Sequence, residues 1–293
     1  TVSPKLLEGV LDILRKKIET PQEVVVNIIS KSGVTTETIA NFEIIYSALR
    51  ERFADNELEK RVVVTTDYGS KLWEEAHSRG FELLTIPKNV GGRYSVFSAV
   101  GIFPLVLAGV DTEYLLDGAR VMTDRCIKKD VSDNPALASA VLMYLHNQKG
   151  ASISNTFFFN PHLESVGKWY RQLMGESIGK KYGTSGGEVN EGITPIISIG
   201  STDLHSMAQL YFGGPKDKFT TFVYAKDNEL NISIPQDFKM GVLEEGLAGK
   251  NISEVMSAIF TGVKYSYKRK GLPFAEVWMN IHWGSFCNLR CSR

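Results

Sequence analysis

The chain has 293 residues, of which 43% are hydrophobic, and its 33 basic and 33 acidic residues give no net formal charge. This length can bury one large or two medium cores. No basic stripe is present, which argues against nucleic acid as a partner, and no apolar segment is long enough to span a bilayer. Cys126, Cys287 and Cys291 are too few for a disulfide framework and predict a reducing, cytoplasmic location.

Apolar, β-branched segments alternate with amphipathic helical segments along the chain. The predicted strands are residues 24–30, 61–66, 81–86, 154–159, 194–200, 220–225 and 273–279. The predicted helices lie near 4–18, 36–53, 70–78, 96–108, 113–128, 134–148, 162–174, 203–211 and 251–269. A polar, glycine-rich segment at 179–192 is predicted as a surface loop. This alternation predicts an α/β fold with parallel sheets.

The strand order restarts after a purely helical interval at about residues 94–148. We therefore expect two α/β sandwich domains, each with a mainly parallel sheet flanked by helices. The first covers residues 1–112, a helical connection covers 113–148, and the second covers 149–293.

Residues 30–38, SKSGVTTET, form the most informative segment. They follow a predicted strand and open a predicted helix, so free backbone N–H groups and the positive end of the helix dipole meet there. Hydroxyl groups add donors, and Lys31 adds a positive charge. A phosphate monoester suits this environment. A plain Ser/Thr helix cap is the alternative, although one hydroxyl would satisfy it.

A second motif, GGRYS at residues 91–95, follows the third predicted strand. Two glycines allow a close approach of a ligand to the backbone. Arg93 is a cation at a predicted helix start, where the dipole disfavours it, which indicates either an anionic ligand or a nearby carboxylate.

Two further motifs carry groups that can move protons. GESIGK at 175–180 places Glu176 at the end of a predicted helix, where a carboxylate suits a general base or is simply solvated. TDLHSMAQ at 202–209 opens a predicted helix with Asp203 and His205. A neutral imidazole there could pass protons in both directions, although a lone His is more often structural.

These four motifs, in this order and at about this spacing, resemble the glucose-6-phosphate isomerase (phosphoglucose isomerase) family, and most closely its prokaryotic branch. The resemblance runs from residue 1 to about residue 280. It implies two sugar-isomerase domains and interconversion of glucose 6-phosphate and fructose 6-phosphate through an enediolate, a step of glycolysis and gluconeogenesis. It implies a homodimer with a shared active site, and neither a metal nor another cofactor.

The resemblance also assigns roles to individual residues. Ser30, Lys31, Ser32 and Thr35 would bind the sugar phosphate. Arg93 would stabilise the enediolate, and Glu176 would move the proton between C1 and C2. His205 would assist ring opening from the partner subunit. Glu37, which could orient that histidine, is a supporting residue together with Gly92 and Gln209.

Two features of the family have no counterpart here, namely an upstream Gly-Gly-Ser phosphate loop and a downstream lysine. We therefore expect the chain to be an internal piece of a longer isomerase. Alternatives on the same residues are a dual phosphoglucose/phosphomannose isomerase and a sugar-phosphate-binding module without catalysis. Cys287 and Cys291 also match the start of a radical S-adenosylmethionine motif, but two thiolates do not complete an iron–sulfur ligand set.

Overall fold

A computed structural model describes residues 2–226, 232–237, 245–280 and 287–291. The chain divides into two compact units, Thr1–Thr112 and Glu113–Arg293. Each unit is an α/β structure with its own sheet.

The first unit alternates strands and helices. Its elements are α1 (Pro4–Lys17), β1 (Val26–Ser30), α2 (Thr36–Arg50), α3 (Asp55–Leu58), β2 (Val62–Thr66), α4 (Lys71–Ser78), β3 (Glu82–Thr85) and α5 (Ala99–Leu107), with 3₁₀ turns at Pro21–Glu23, Glu59–Arg61 and Gly92–Phe97. The strands form a parallel sheet in the order β1-β2-β3.

The core of the first unit lies between this sheet and the helices α1, α2 and α4. Strand β2 is central and buried along its whole length, as its continuous β-branched sequence predicts. The aromatic rings of Phe42, Tyr46 and Phe81 pack on one another within this core. The parallel order places the carboxyl ends of β1, β2 and β3 at one edge of the sheet.

The second unit begins with two helices and continues through a larger sheet. Its described elements are α6 (Thr112–Cys126), α7 (Pro135–Asn147), β4 (Ile153–Phe158), α8 (Glu164–Ile178), β5 (Lys180–Tyr182), β6 (Glu188–Glu191), β7 (Thr194–Ile199), α9 (Thr202–Ser206), α10 (Ala208–Gly213), β8 (Lys218–Lys226), α11 (Ile252–Arg269), β9 (Phe274–Asn280) and β10 (Cys287–Cys291), with 3₁₀ turns at Pro161–Leu163 and Glu245–Leu247.

The sheet of the second unit has the order β10-β9-β8-β4-β7 and is parallel except for the edge strand β10. Its core is largely aromatic. Phe157 and Phe222 are fully buried at its centre and contact rings from α10 and α11, including Tyr211 and Phe260. Edge-to-face contacts of this kind restrict the relative orientation of the packed side chains more than contacts between aliphatic side chains do.

The seven predicted strands are all present, and the α/β fold with parallel sheets is confirmed. Three local expectations were wrong. The predicted loop at 179–192 contains the β5–β6 hairpin. The predicted helix at 203–211 is divided into α9 and α10. The predicted helix at 96–108 is a 3₁₀ turn followed by α5.

The break before α5 has a local cause. Ser98 is extended, and its hydroxyl accepts a hydrogen bond from the backbone N–H of Val100, so Ser98 caps a new helix. Gly101 is required next to it, because a Cβ at this position would clash with the carbonyl oxygen of Val96. The 3₁₀ turn that carries Arg93 is therefore fixed against the first turn of α5.

Candidate active site

The first candidate motif forms a tight turn between β1 and α2, and we call residues 30–35 the Ser30–Thr35 turn. The backbone N–H of Gly33 donates to the carbonyl of Ser30 at 3.2 Å. Gly33 has φ of 70°, a left-handed conformation that glycine adopts without strain. The chain therefore reverses sharply at the carboxyl end of β1 and enters α2 at Thr35.

The hydroxyls in this turn are not used as ordinary helix caps. Thr35 is the N-cap residue of α2, yet its side chain makes no capping hydrogen bond. Its Oγ1 lies 2.8 Å from Oγ of the buried Ser30 instead. Ser32 and Thr35 are exposed. The N-terminal N–H groups of α2 therefore have no cap from Thr35 and suit an anion.

Lys31 connects this turn to the second motif. Its Nζ donates to the carbonyl oxygen of Lys88 at 3.3 Å and to that of Val90. Residue 90 directly precedes Gly91, Gly92 and Arg93. The structure thus brings the first two predicted motifs together within the first unit, and Lys31 positions the loop that leads to Arg93.

Arg93 lies in the 3₁₀ turn Gly92–Phe97 rather than in an α-helix. Its guanidinium carbon is 4.8 Å from the centroid of the exposed Tyr94 ring, a cation–π contact. The hydroxyl of buried Ser95 donates to the carbonyl of Gly92 at 2.6 Å and holds the turn closed. Arg93 is half-buried and its planar group is suited to binding an oxyanion.

Glu176 lies in the last turn of α8 and is exposed. Its Oε1 accepts a hydrogen bond from Nε2 of Gln172, one turn earlier, at 3.0 Å. An amide donor of this kind orients a carboxylate without neutralising it. The opposite face of α8 is anchored to the sheet by Gly167, where a Cβ would clash with Phe158. Glu176 therefore projects from a fixed helix.

His205 is the fourth residue of the five-residue helix α9 and is exposed. Since the helix has a single turn, the expectation that His205 lies at the start of a longer helix was wrong. Asp203 fixes the turn: its carboxylate accepts from the backbone N–H of Ile199 and from the hydroxyl of Ser206, both at 2.7 Å. Leu204 packs against the aromatic core on the other side.

The supporting residues predicted from the motifs lie on the surface. Glu37 is in the first turn of α2, Gly92 opens the 3₁₀ turn and Gln209 is in α10; all three are exposed. Arg93 and the Ser30–Thr35 turn belong to the first unit, and Glu176 and His205 belong to the second.

Sequence reasoning missed two hydroxyl groups, on Thr66 and Ser70. Thr66 ends β2, next to Ser30 on β1, and its Oγ1 donates to the carbonyl of Ser30 at 2.6 Å. Ser70 caps α4 and its Oγ lies 2.9 Å from Thr66 Oγ1. The available signal was the position of Thr66 at the carboxyl end of a neighbouring parallel strand.

A cavity of about 530 Å³ adjoins this region between α2 and α4. Its lining is mostly apolar and includes Ile28, Phe42 and Val64. Such walls do not suit a sugar phosphate, so we do not assign the cavity to that ligand. Among the described residues, no cluster of three or more His, Cys, Asp or Glu side chains has the arrangement of a metal site. No helix in the described ranges combines the length and hydropathy of a membrane span.

Comparison with known proteins gives a consistent family match. The family model described as phosphoglucose isomerase matches residues 9–244. The chain is 41% identical over 227 residues to a glucose-6-phosphate isomerase of Methanocaldococcus jannaschii, covering 78% of this chain and 53% of that protein. It is 36% identical over 256 residues to a probable glucose-6-phosphate isomerase of Methanococcus maripaludis, covering 87% and 55%.

Solved structures share the fold of this chain. A hypothetical protein from Thermus thermophilus superposes with a TM-score of 0.83 at 29% identity, over 95% of this chain and 64% of that one. A glucose-6-phosphate isomerase from Chlamydia trachomatis gives 0.70 at 22% identity, over 87% and 47%, which bears on the fold alone. The chain spans about half the length of the curated relatives it matches. The family resemblance predicted from the four motifs is confirmed.

Proposed function

We propose, because the chain belongs to the phosphoglucose isomerase family, that this protein interconverts glucose 6-phosphate and fructose 6-phosphate. The observation that carries the proposal is the Ser30–Thr35 turn, in which a glycine-bent loop leads into α2 without a side-chain cap from Thr35. A helix N-terminus with exposed hydroxyls beside it matches the chemistry of a phosphate monoester.

The phosphate would be held by the first-turn N–H groups of α2 and by the hydroxyls of Ser32 and Thr35. Ser30 is buried, so its hydroxyl acts by fixing Thr35. When Ser30 donates to Thr35, the proton of Thr35 remains available for a phosphate oxygen. Lys31 has three donor protons, two of which go to the carbonyls of Lys88 and Val90, and its charge lies beside the turn.

Isomerisation requires removal of a proton from C2 of the open-chain aldose and its return to C1. We assign this transfer to Glu176, whose carboxylate is exposed and oriented by Gln172. Proton removal gives an enediolate with one negative charge, which starts on O1. The proton of the O2 hydroxyl passes to O1, and a proton added at C1 then gives the ketose. Arg93 supplies the positive charge that stabilises this intermediate. The interaction lowers the activation barrier because it is stronger with the developing negative charge than with the bound substrate.

Ring opening needs a separate proton transfer between O5 and O1, which we assign to His205. The residue is exposed on a turn that Asp203 holds rigid, so the imidazole can reach a substrate outside its own chain. We propose that it serves the active site of the partner subunit in a homodimer. Glu37 would orient the imidazole, and Gly92 and Gln209 would shape the surroundings of the substrate. We also propose that the enzyme acts in glycolysis and gluconeogenesis in the cytoplasm.

The test is an isomerase assay on purified full-length protein, with formation of fructose 6-phosphate followed by a coupled dehydrogenase. We expect turnover of glucose 6-phosphate that requires Arg93, Glu176 and His205 together. Binding of the sugar phosphate without turnover would show that the protein is a sugar-phosphate-binding module and not an isomerase. Equal turnover of mannose 6-phosphate would extend the proposal to a dual isomerase.

A further inference from the structure

We infer that Thr66 is a positioning residue for substrate phosphate and that Ser70 acts behind it; this inference rests on the proposed role of the Ser30–Thr35 turn. Thr66 is the last residue of β2 and Ser70 is the N-cap residue of α4, and both lie outside the four motifs. Their hydroxyls form a continuous hydrogen-bonded path to the main chain of Ser30.

The direction of each hydrogen bond in this path follows from its end points. The carbonyl of Ser30 can only accept, so Thr66 Oγ1 must donate its single proton there, at 2.6 Å. Ser70 must then donate to Thr66 Oγ1 across 2.9 Å. Ser70 Oγ in turn accepts from the backbone N–H of Trp73 at 3.1 Å. The path therefore runs one way, from the N-terminus of α4 to the carbonyl of Ser30.

A second contact links the same two segments independently. A Cβ on Gly33 would lie 2.8 Å from Ser70 Oγ and 3.0 Å from Leu72 Cβ. The Ser30–Thr35 turn thus packs directly on the start of α4. The backbone N–H of Asp67 also donates to the carbonyl of Lys31 at 3.2 Å. Thr66 and Asp67, which are consecutive in the chain, therefore donate hydrogen bonds to the consecutive carbonyls of Ser30 and Lys31.

This arrangement sets the orientation of the turn without any contact to the ligand. The carbonyl of Ser30 accepts from both Gly33 N–H and Thr66 Oγ1, and these two bonds fix the peptide plane that follows Ser30. That plane determines where the Ser30 hydroxyl meets Thr35. Loss of the Thr66 hydroxyl should therefore weaken phosphate binding while leaving the groups that carry out proton transfer unchanged.

The test compares Thr66→Val with Thr65→Val in the full-length protein. Thr65 is the adjacent residue of β2 and is equally buried, but its hydroxyl donates to Asn27 Oδ1 at 3.3 Å, away from the turn. Both changes remove one buried hydroxyl and keep the side-chain shape. The probes are the dissociation constant of inorganic phosphate by calorimetry and KM and kcat for glucose 6-phosphate, with thermal unfolding measured in parallel.

For Thr66→Val, we expect the phosphate dissociation constant and KM each to rise about fivefold, a shift of the size of one hydrogen bond, with kcat within about twofold of wild type. Thr66→Ser should restore both constants, and Thr65→Val should change neither, even where its loss of thermal stability is the same. If Thr66→Val does not fold, Ser70→Ala should give a smaller rise in the same two constants.

Equal constants for the Thr66 and Thr65 variants would overturn the inference, as would a failure of Thr66→Ser to restore them. Unchanged constants in Ser70→Ala would also overturn it if that variant replaces Thr66→Val. Absence of phosphate binding by the wild-type protein would have the same effect. Phosphate binding that depends on Thr66, in a protein that does not isomerise sugar phosphates, would refute the proposed reaction and leave the inference standing.

Discussion

The hydroxyl oxygens of Ser30 and Thr35 lie 2.8 Å apart where β1 gives way to α2. This pairing withdraws the Thr35 side chain from the helix cap that its position would otherwise provide. An uncapped helix start has unsatisfied N–H donors, which an anionic ligand can satisfy. The contact between Ser30 and Thr35 thus leaves the N-terminus of α2 without a cap from Thr35, and this N-terminus is a candidate phosphate site.

The exposed hydroxyls of the turn give the first prediction. Ser32→Ala and Thr35→Ala should each raise KM for glucose 6-phosphate by about tenfold, because a hydrogen bond to a charged group is lost, and should change kcat much less. Steady-state kinetics on the full-length protein measure both constants. Ser78→Ala, at the exposed end of α4, is the control and should behave as wild type. A fall in kcat with unchanged KM would contradict a phosphate-binding role for Ser32 and Thr35.

The placement of His205 gives a second prediction, tested by mixing two inactive variants. Subunits carrying Glu176→Gln and subunits carrying His205→Ala are denatured together and refolded into hybrid dimers. If each active site takes Glu176 from one subunit and His205 from the other, one site of each hybrid is intact, and activity should return to about a quarter of the wild-type level. No recovery in demonstrated hybrid dimers would place both residues in the same chain.

The predictability of the fold differs between elements for physical reasons. Strand β2 was recognisable because a buried parallel strand is continuously apolar and β-branched. The β5–β6 hairpin was missed because its residues are exposed and polar, with weak intrinsic strand propensity. The 3₁₀ turn before α5 was missed because helical periodicity over a few residues does not distinguish the two helix types.

The candidate site was predictable from the sequence where residues with suitable side chains directly follow a strand and begin a helix. The hydroxyls that follow β1 pointed to phosphate because helix starts bind anions. The contribution of Thr66 depends on its pairing with Ser30 across two strands, and that register is a tertiary property. The contacts of Lys31 with the carbonyls of Lys88 and Val90 are likewise long-range. Local sequence patterns carry no information on this strand register or on the contacts of Lys31.

His146 gives a prediction about stability and pH. Its ring stacks on Phe219 with centroids 4.7 Å apart, and burial, with a smaller effect of Lys149, lowers the pKa of His146 below 6.5. Between the folded and unfolded pKa values the unfolded chain binds more protons. The contribution of His146 is therefore complete above about pH 6.5 and is lost as pH falls below it.

His146→Phe keeps the stacking and removes the titration, so the free energy of unfolding of this variant should fall less between pH 7.5 and pH 5.5 than that of wild type. Urea unfolding at the two pH values measures the difference. Gln148→Ala, at the exposed end of the helix that carries His146, changes no titratable group; it is the control and should retain the wild-type pH dependence. Identical pH dependence in wild type and His146→Phe would contradict this prediction.

Glu176 is the residue that we propose as the proton-transfer base, and its substitution tests the proposed reaction most directly. Glu176→Gln keeps the size of the side chain and its contact with Gln172 but removes the basic carboxylate. Loss of a general base should lower kcat at least about 100-fold while sugar-phosphate binding persists. Glu164→Gln, on the first turn of the same helix and also exposed, is the matched control and should retain wild-type kcat.

The most direct measurement follows both isomerisation and solvent exchange by NMR in D₂O, starting from glucose 6-phosphate. When the protonated base exchanges its proton with D₂O before it delivers a proton to C1, deuterium enters C1 of the fructose 6-phosphate formed. We expect deuterium incorporation and turnover in wild type and in Glu164→Gln, and a loss of both by the same factor in Glu176→Gln. Near-normal turnover and exchange in Glu176→Gln would contradict the proposed role of Glu176.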